Sequence, residues 1–150
     1  MENTAEIGVL NDLLQITNDR LEGFKNVDTK MISSYPKLSD VYERMVTQAA
    51  QMRTDLAGII KEKGGEVNNT TSVAGSLHRT WIDLKNSLSA NRDEATLESV
   101  VFGESAAMNA YEKVLQREDL SADSYRIVKD QFDIIRDSVD KFQYLKEERN

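Results

Sequence analysis

Apolar residues recur along this chain in steps of three and four, in four long segments. In the first, Ile7, Leu10, Leu14, Thr17, Leu21 and Phe24 form one stripe, interrupted only at Thr17. That spacing places the side chains on one face of an α-helix. Asn3 with Glu6 three residues on can form a capping box, which starts the helix near residue 4. The second segment opens at Pro36, because proline suits a helix's first turn and no later one. Its stripe is Leu38, Val41, Met45, Gln48 with Ala49, Met52, Leu56 and Ile60. Gly64-Gly65 stops it, after Lys61 and Lys63. The third opens at Asn91 with Glu94 as capping partner, and its stripe is Leu97, Val101, Glu104, Met108, Tyr111 and Leu115. The fourth starts at Ser121, where Leu120 can staple onto Tyr125, and runs through Val128, Phe132, Ile135, Val139 and Phe142. Four helices are expected, at about 4–25, 36–63, 92–117 and 121–147.

Connection lengths set the expected topology. About ten residues join helices one and two, and about four join three and four, so each pair reads as an antiparallel hairpin. About 27 residues separate the pairs, too many for a tight turn. Within them Val73, Leu77, Trp81, Leu84 and Leu88 step by three or four again, predicting a short fifth helix over 72–88. One long crossover between two hairpins is the ferritin-like form of the four-helix bundle. The fold class expected is therefore all-α and ferritin-like.

Composition narrows the class without naming an activity. The chain has 150 residues with one proline and seven glycines, which reads as a single domain over 1–150. Cysteine is absent, removing disulfides, thiolate metal sites and cysteine nucleophiles together. The 26 acidic residues outnumber the 19 basic ones and give a net charge of −7, a poor match for nucleic acid. No apolar run approaches the roughly 18 residues of a membrane span. The N-terminus MENTAEIGVL has no basic region ahead of an apolar stretch, so a cytoplasmic protein is expected.

The stretch SVAGSLHRTWIDLK resembles a family of uncharacterised bacterial ferritin-like four-helix-bundle proteins. It is preceded here by IIKEKGGEV and followed by ESVVFGESAAMNAYEKVL. The likeness runs from about Glu6 to Leu145, and HRTWIDLK is its most specific part. The resemblance implies the bundle fold and implies little about activity.

Ferritin-like bundles that hold two iron or manganese ions draw one Glu from each of two helices and an E-x-x-H pair from each of the others. The chain fails that pattern. Its one histidine, His78, lies in the crossover, and the level where helix two should carry E-x-x-H reads Gln48-Ala49-Ala50-Gln51. Glutamine amides are neutral and cannot offset the charge of two metal ions. The weak metal candidates are Glu22, Glu104, Asp130 and Asp133, of which Glu104 alone falls on its helix's apolar stripe. A lone buried carboxylate must find partners, so the structural reading of Glu104 is a buried polar network with Gln48, Gln51, Thr17 or a helix-four residue. His78 reads more simply as a hydrogen-bonded tie between crossover and bundle than as a catalytic group, because no nucleophile or second histidine accompanies it. Trp81 reads as an apolar anchor, and Met45, Met52 and Met108 as adaptable core.

The expectation is a non-enzymatic bundle with a degenerate di-iron site and no cofactor, acting through interactions or oligomerisation. A stress-related setting is implied by fold analogy alone. Val9, Ile59 and Ile127 are spare apolar positions through which copies could pair as a homo-oligomer. Two alternatives stand beside it. One is a divergent iron- or manganese-binding oxidase built on Glu22, Glu104, Asp130 and Asp133. The other is a module that binds a small ligand or partner helix between crossover and bundle.

Overall fold

A computed structural model describes residues 4–25, 36–67, 97–118 and 120–149. Over these residues the chain is helical, without strands. The helices are α1 (Thr4–Lys25), α2 (Pro36–Glu62), α3 (Leu97–Leu115) and α4 (Ala122–Arg149). The expected caps at Asn3 and Asn91, and the whole expected helix over 72–88 with His78 and Trp81, lie outside the described residues.

Local signals account for most helix ends. α2 begins at Pro36, whose missing N–H costs nothing in a first turn. Its far end is a Schellman turn: Gly64 takes a left-handed φ of 80°. The Gly65 N–H then reaches the Ile60 carbonyl at 2.9 Å, and the Gly64 N–H reaches Lys61 at 3.0 Å. Gly65 is also needed for space, since a Cβ there would stand 2.7 Å from the Ile7 side chain. α4 is capped by Ser121, whose hydroxyl accepts from the Ser124 N–H at 3.3 Å. Leu120 packs into the core, but its expected staple partner Tyr125 is 45% exposed.

Side-chain pairings give the helix directions. Asn11, early in α1, donates to the Glu66 carbonyl just beyond α2, so α1 and α2 are antiparallel. Tyr111 meets Gln131 and Glu104 meets Ser138, so α3 and α4 are antiparallel too. Thr17 meets Tyr111 and Arg20 meets Glu104, which sets α1 against α3 in opposite senses. It follows that α2 and α3 run in the same direction. The closest packing is within the two hairpins, α1 with α2 and α3 with α4.

The core between the hairpins is built mainly from Leu10, Leu13, Ile16, Met52, Leu56, Ile60, Ala107, Tyr111, Val128 and Ile135. A smaller cluster at one end joins Tyr42, Met45 and Phe142, with Tyr42 and Phe142 ring centroids 5.4 Å apart. Val9 and Ile59 are 2% and 4% exposed and belong to the core, and Ile127 is packed against it. Val9 and Ile59 are therefore core rather than spare surface positions and Ile127 is partly buried, because the buried arc of each helix is wider than a single stripe. At the other end Glu6 links three elements. Its carboxylate accepts from the Ser121 N–H and lies 3.4 Å from Lys63 Nζ. A negative charge there also suits the partial positive charge of the α4 N-terminus.

Candidate functional site

A buried ion pair occupies the middle of the bundle. Glu104 of α3 is 3% exposed and Arg20 of α1 is 5% exposed. The guanidinium binds the carboxylate with two bonds, Nε to Oε1 at 2.7 Å and Nη2 to Oε2 at 2.8 Å. Ser138 of α4 donates to Oε2 at 2.7 Å. Nη1 points to the Met52 sulfur of α2 at 3.6 Å. One charge pair thus touches all four helices. The bidentate form is the strongest geometry open to a carboxylate and a guanidinium.

A neutral layer lies next to it along the bundle. The Tyr111 hydroxyl donates to Gln131 Oε1 at 2.7 Å and lies 3.1 Å from the Thr17 hydroxyl. Gln131 in turn donates to the Met52 carbonyl at 3.1 Å. Met52 therefore links the two layers, by its sulfur to Arg20 and by its backbone to Gln131.

The electrostatics follow from burial. Desolvation disfavours the Arg20 charge, but the adjacent Glu104 carboxylate outweighs it and holds the guanidinium above its ordinary value. Burial pushes the Tyr111 phenol up to about 12, against the opposing pull of its Thr17 bond and of Arg20. Tyr42 is pushed up as well, first by burial and then by the Glu104 charge. Both phenols are held neutral, and a neutral phenol beside a satisfied carboxylate is neither a base nor a nucleophile at ordinary pH.

The structure separates the residues the sequence grouped. Glu104 is buried, as its place on the stripe implied, and of its expected partners it meets the helix-four residue, as Ser138, while its other partner is Arg20 rather than Gln48, Gln51 or Thr17. Gln51 is exposed, and its amide donates to Asp55 one turn on. Gln48 is half-buried. Asp130 is exposed, and Asp133 pairs on the outer side of α4 with Lys129 at 2.7 Å and Arg136 at 3.5 Å. The Lys129 bond holds the Asp133 carboxyl below the usual carboxylate range. The Glu22 side chain, His78 and Trp81 are outside the described residues.

That donor set does not fit a dinuclear metal centre. Such a site needs several carboxylates and imidazoles converging on one pair of ions. Among the described residues a single carboxylate, Glu104, binds at this centre, and both its oxygens are already held by a cation. Among the described residues no three His, Cys, Asp or Glu side chains come together as a metal site. Arg20 is the residue missed in reading the sequence. The signal was present: it is the only base in the first 24 residues, and it lies three positions after Thr17, on the inner side of α1.

A concave surface lies between α1 and α2. Leu14 and Asn18 of α1 and Ala57 and Gly58 of α2 line a groove of about 440 Å³, with Arg53, Lys61 and Val67 alongside. No described helix is long and apolar enough to cross a membrane.

These features define an all-helical bundle with a charged and hydrogen-bonded centre. The chain belongs to a family described as a domain of unknown function (DUF2383), whose pattern matches residues 5–117. No curated protein and no solved structure matches it.

Proposed function

We propose that this protein is a ferritin-like bundle without a working dinuclear metal site, acting non-enzymatically in the cytoplasm through surface or oligomeric contacts. The observation that carries this reading is the bidentate Arg20–Glu104 pair. A guanidinium supplies the positive charge that bound metal would otherwise bring to a core carboxylate. The same pair fixes the rotation and height of α1 against α3, and Ser138 extends that to α4. A bundle held this way is suited to present a rigid surface rather than to cycle a metal. The ferritin-like assignment is supported by the two hairpins and by α2 and α3 running in the same direction.

The test is metal retention. The purified chain is equilibrated with iron(II) or manganese(II), desalted, and analysed for bound metal, beside the variant Glu104→Gln. The expected result is no stoichiometric metal in either protein. Retention of a metal pair by the natural chain, lost in Glu104→Gln at unchanged helix content, would overturn the proposal in favour of a metal-binding bundle.

A further inference from the structure

We infer that the groove between α1 and α2 docks an acidic amphipathic helix of a partner protein, with Arg53 and Lys61 each taking one of its carboxylates. The inference rests on the reading that this protein acts through surface contacts, and it names one such surface and the class of partner that fits it.

The groove is open. It measures about 440 Å³, and on its α2 side Arg53, Thr54, Gly58 and Lys61 are all exposed. A Cβ built on Gly58 would have nothing packed within 4 Å of it. Glycine in mid-helix is unfavourable, because it loses more backbone freedom on folding than any other residue. The usual reasons for keeping one do not apply at position 58. Among the described residues only Gly64 has a left-handed φ, and no neighbouring helix crowds Gly58. The space that a side chain would fill there is left for an incoming group.

The lining combines an apolar floor with cations at its ends. Leu14, Ala57 and the exposed Val67 supply apolar surface. The Thr54 hydroxyl already donates to the Ala50 carbonyl at 3.1 Å. Arg53 and Lys61 stand eight positions apart on α2, about 12 Å along its axis, with Ala57 midway between them. Among the described residues neither takes part in an ion pair, and none of those lining the groove is a carboxylate. In a chain where 26 acidic residues outnumber 19 basic ones, this is a local reversal of charge.

Two separated cations decide the class of occupant. A fatty acid or similar amphiphile carries one anionic head and would leave the second cation unanswered. Carboxylates at positions i and i+7 of a helix share one face about 10 Å apart, with positions i+3 and i+4 between them. Such a face sets its carboxylates on Arg53 and Lys61 and its apolar side chains over Ala57 and Gly58. Laying the apolar face of a helix into a groove is a recurring mode of recognition.

Selection from a phage-displayed library of helical peptides, randomised at i, i+3, i+4 and i+7, tests this with the full chain. The variant Gly58→Leu serves for counter-selection. Leucine is the better helix former and fills open space, so the fold should be kept, which circular dichroism checks. Enriched peptides should carry Asp or Glu at i and i+7 and apolar residues between. By fluorescence anisotropy they should bind the natural chain at least about ten-fold more tightly than Gly58→Leu, as loss of an anchoring pocket requires. Arg53→Gln and Lys61→Gln should each weaken binding roughly two- to five-fold, the range of an exposed charge pair. Peptides that do not discriminate against Gly58→Leu, or enrichment without carboxylates, overturn the inference. Sodium dodecanoate binding that is lost in Gly58→Leu, with no peptide enriched, overturns it in favour of a lipid-like ligand. Metal retention by the natural chain would overturn the metal-free reading alone, so the two failures are distinguishable.

Discussion

Removing the cation from the buried pair should be far more damaging than removing the pair. Arg20→Met keeps much of the aliphatic volume but leaves Glu104, 3% exposed, with Ser138 as its remaining short donor. An uncompensated buried charge of this kind costs about 3–5 kcal/mol. For a chain of this length each kcal/mol moves Tm by roughly 2–4 °C, so the variant should melt roughly 6–20 °C below the natural protein. Glu104→Leu removes the carboxylate that binds the guanidinium bidentately and should also be destabilising. The double variant Arg20→Met/Glu104→Leu removes both charges and fills the space with apolar groups. It should lie within about 2 kcal/mol of the natural chain, the residual cost including a Ser138 hydroxyl without its acceptor. Urea unfolding followed by circular dichroism measures all four proteins, with m checked for constancy. The coupling energy should reach at least about 3 kcal/mol, the upper end for residues in contact. An Arg20→Met loss below about 1 kcal/mol, or single losses that simply add, would refute the idea that the pair is a closed unit in a water-excluded centre.

Three further outcomes can be checked. Burial would raise the Glu6 carboxyl, but Ser121, Ser124 and Lys63 outweigh it and hold it below its ordinary 4.5. Its contribution is therefore full above that value and lost as pH falls through the lowered folded value, and Glu6→Gln should flatten the acid limb of a stability-versus-pH curve. Gly65→Ala should cost about 1–3 kcal/mol by overpacking against Ile7, and clearly less in an Ile7→Ala background, measured by the same urea series. Tyr111, raised to about 12 from an ordinary 10, favours the folded state below pH 10, and that contribution is lost as pH rises toward 12. Tyr111→Phe should remove the part of the alkaline loss that accompanies this titration. It should also cost about 1–2 kcal/mol by stranding Gln131.

How far the fold was legible depends on how local each signal is. Pro36, the Gly64-Gly65 stop and the Ser121 cap act within a few residues, and the helices end where those residues stand. The α3 stripe is less faithful. Burial is centred on Glu104, Ala107, Tyr111 and Val114, while Met108 and Leu115 are only partly buried. Alanines carry little weight in a hydrophobic pattern, although they are what allows another helix to approach closely. Similarly, Gln131 and Ser138 lie on the inner face of α4 between Val128 and Phe142, and their polarity hid them among surface residues.

The sequence by itself determined four amphipathic helices in two hairpins, because helix periodicity, caps and short connections are encoded within a few turns of chain. It also marked Glu104 as a carboxylate on an apolar face. Only the tertiary structure decided what answers that charge. Arg20 is 84 residues away in the chain, and whether it reaches Glu104 depends on the relative rotation and height of two helices that no local pattern specifies. The rotations of α2 and α4 in the bundle likewise turned Gln51 and Asp130 outward. Charge pairing inside a core is a property of packed faces, and faces meet only once the bundle has formed.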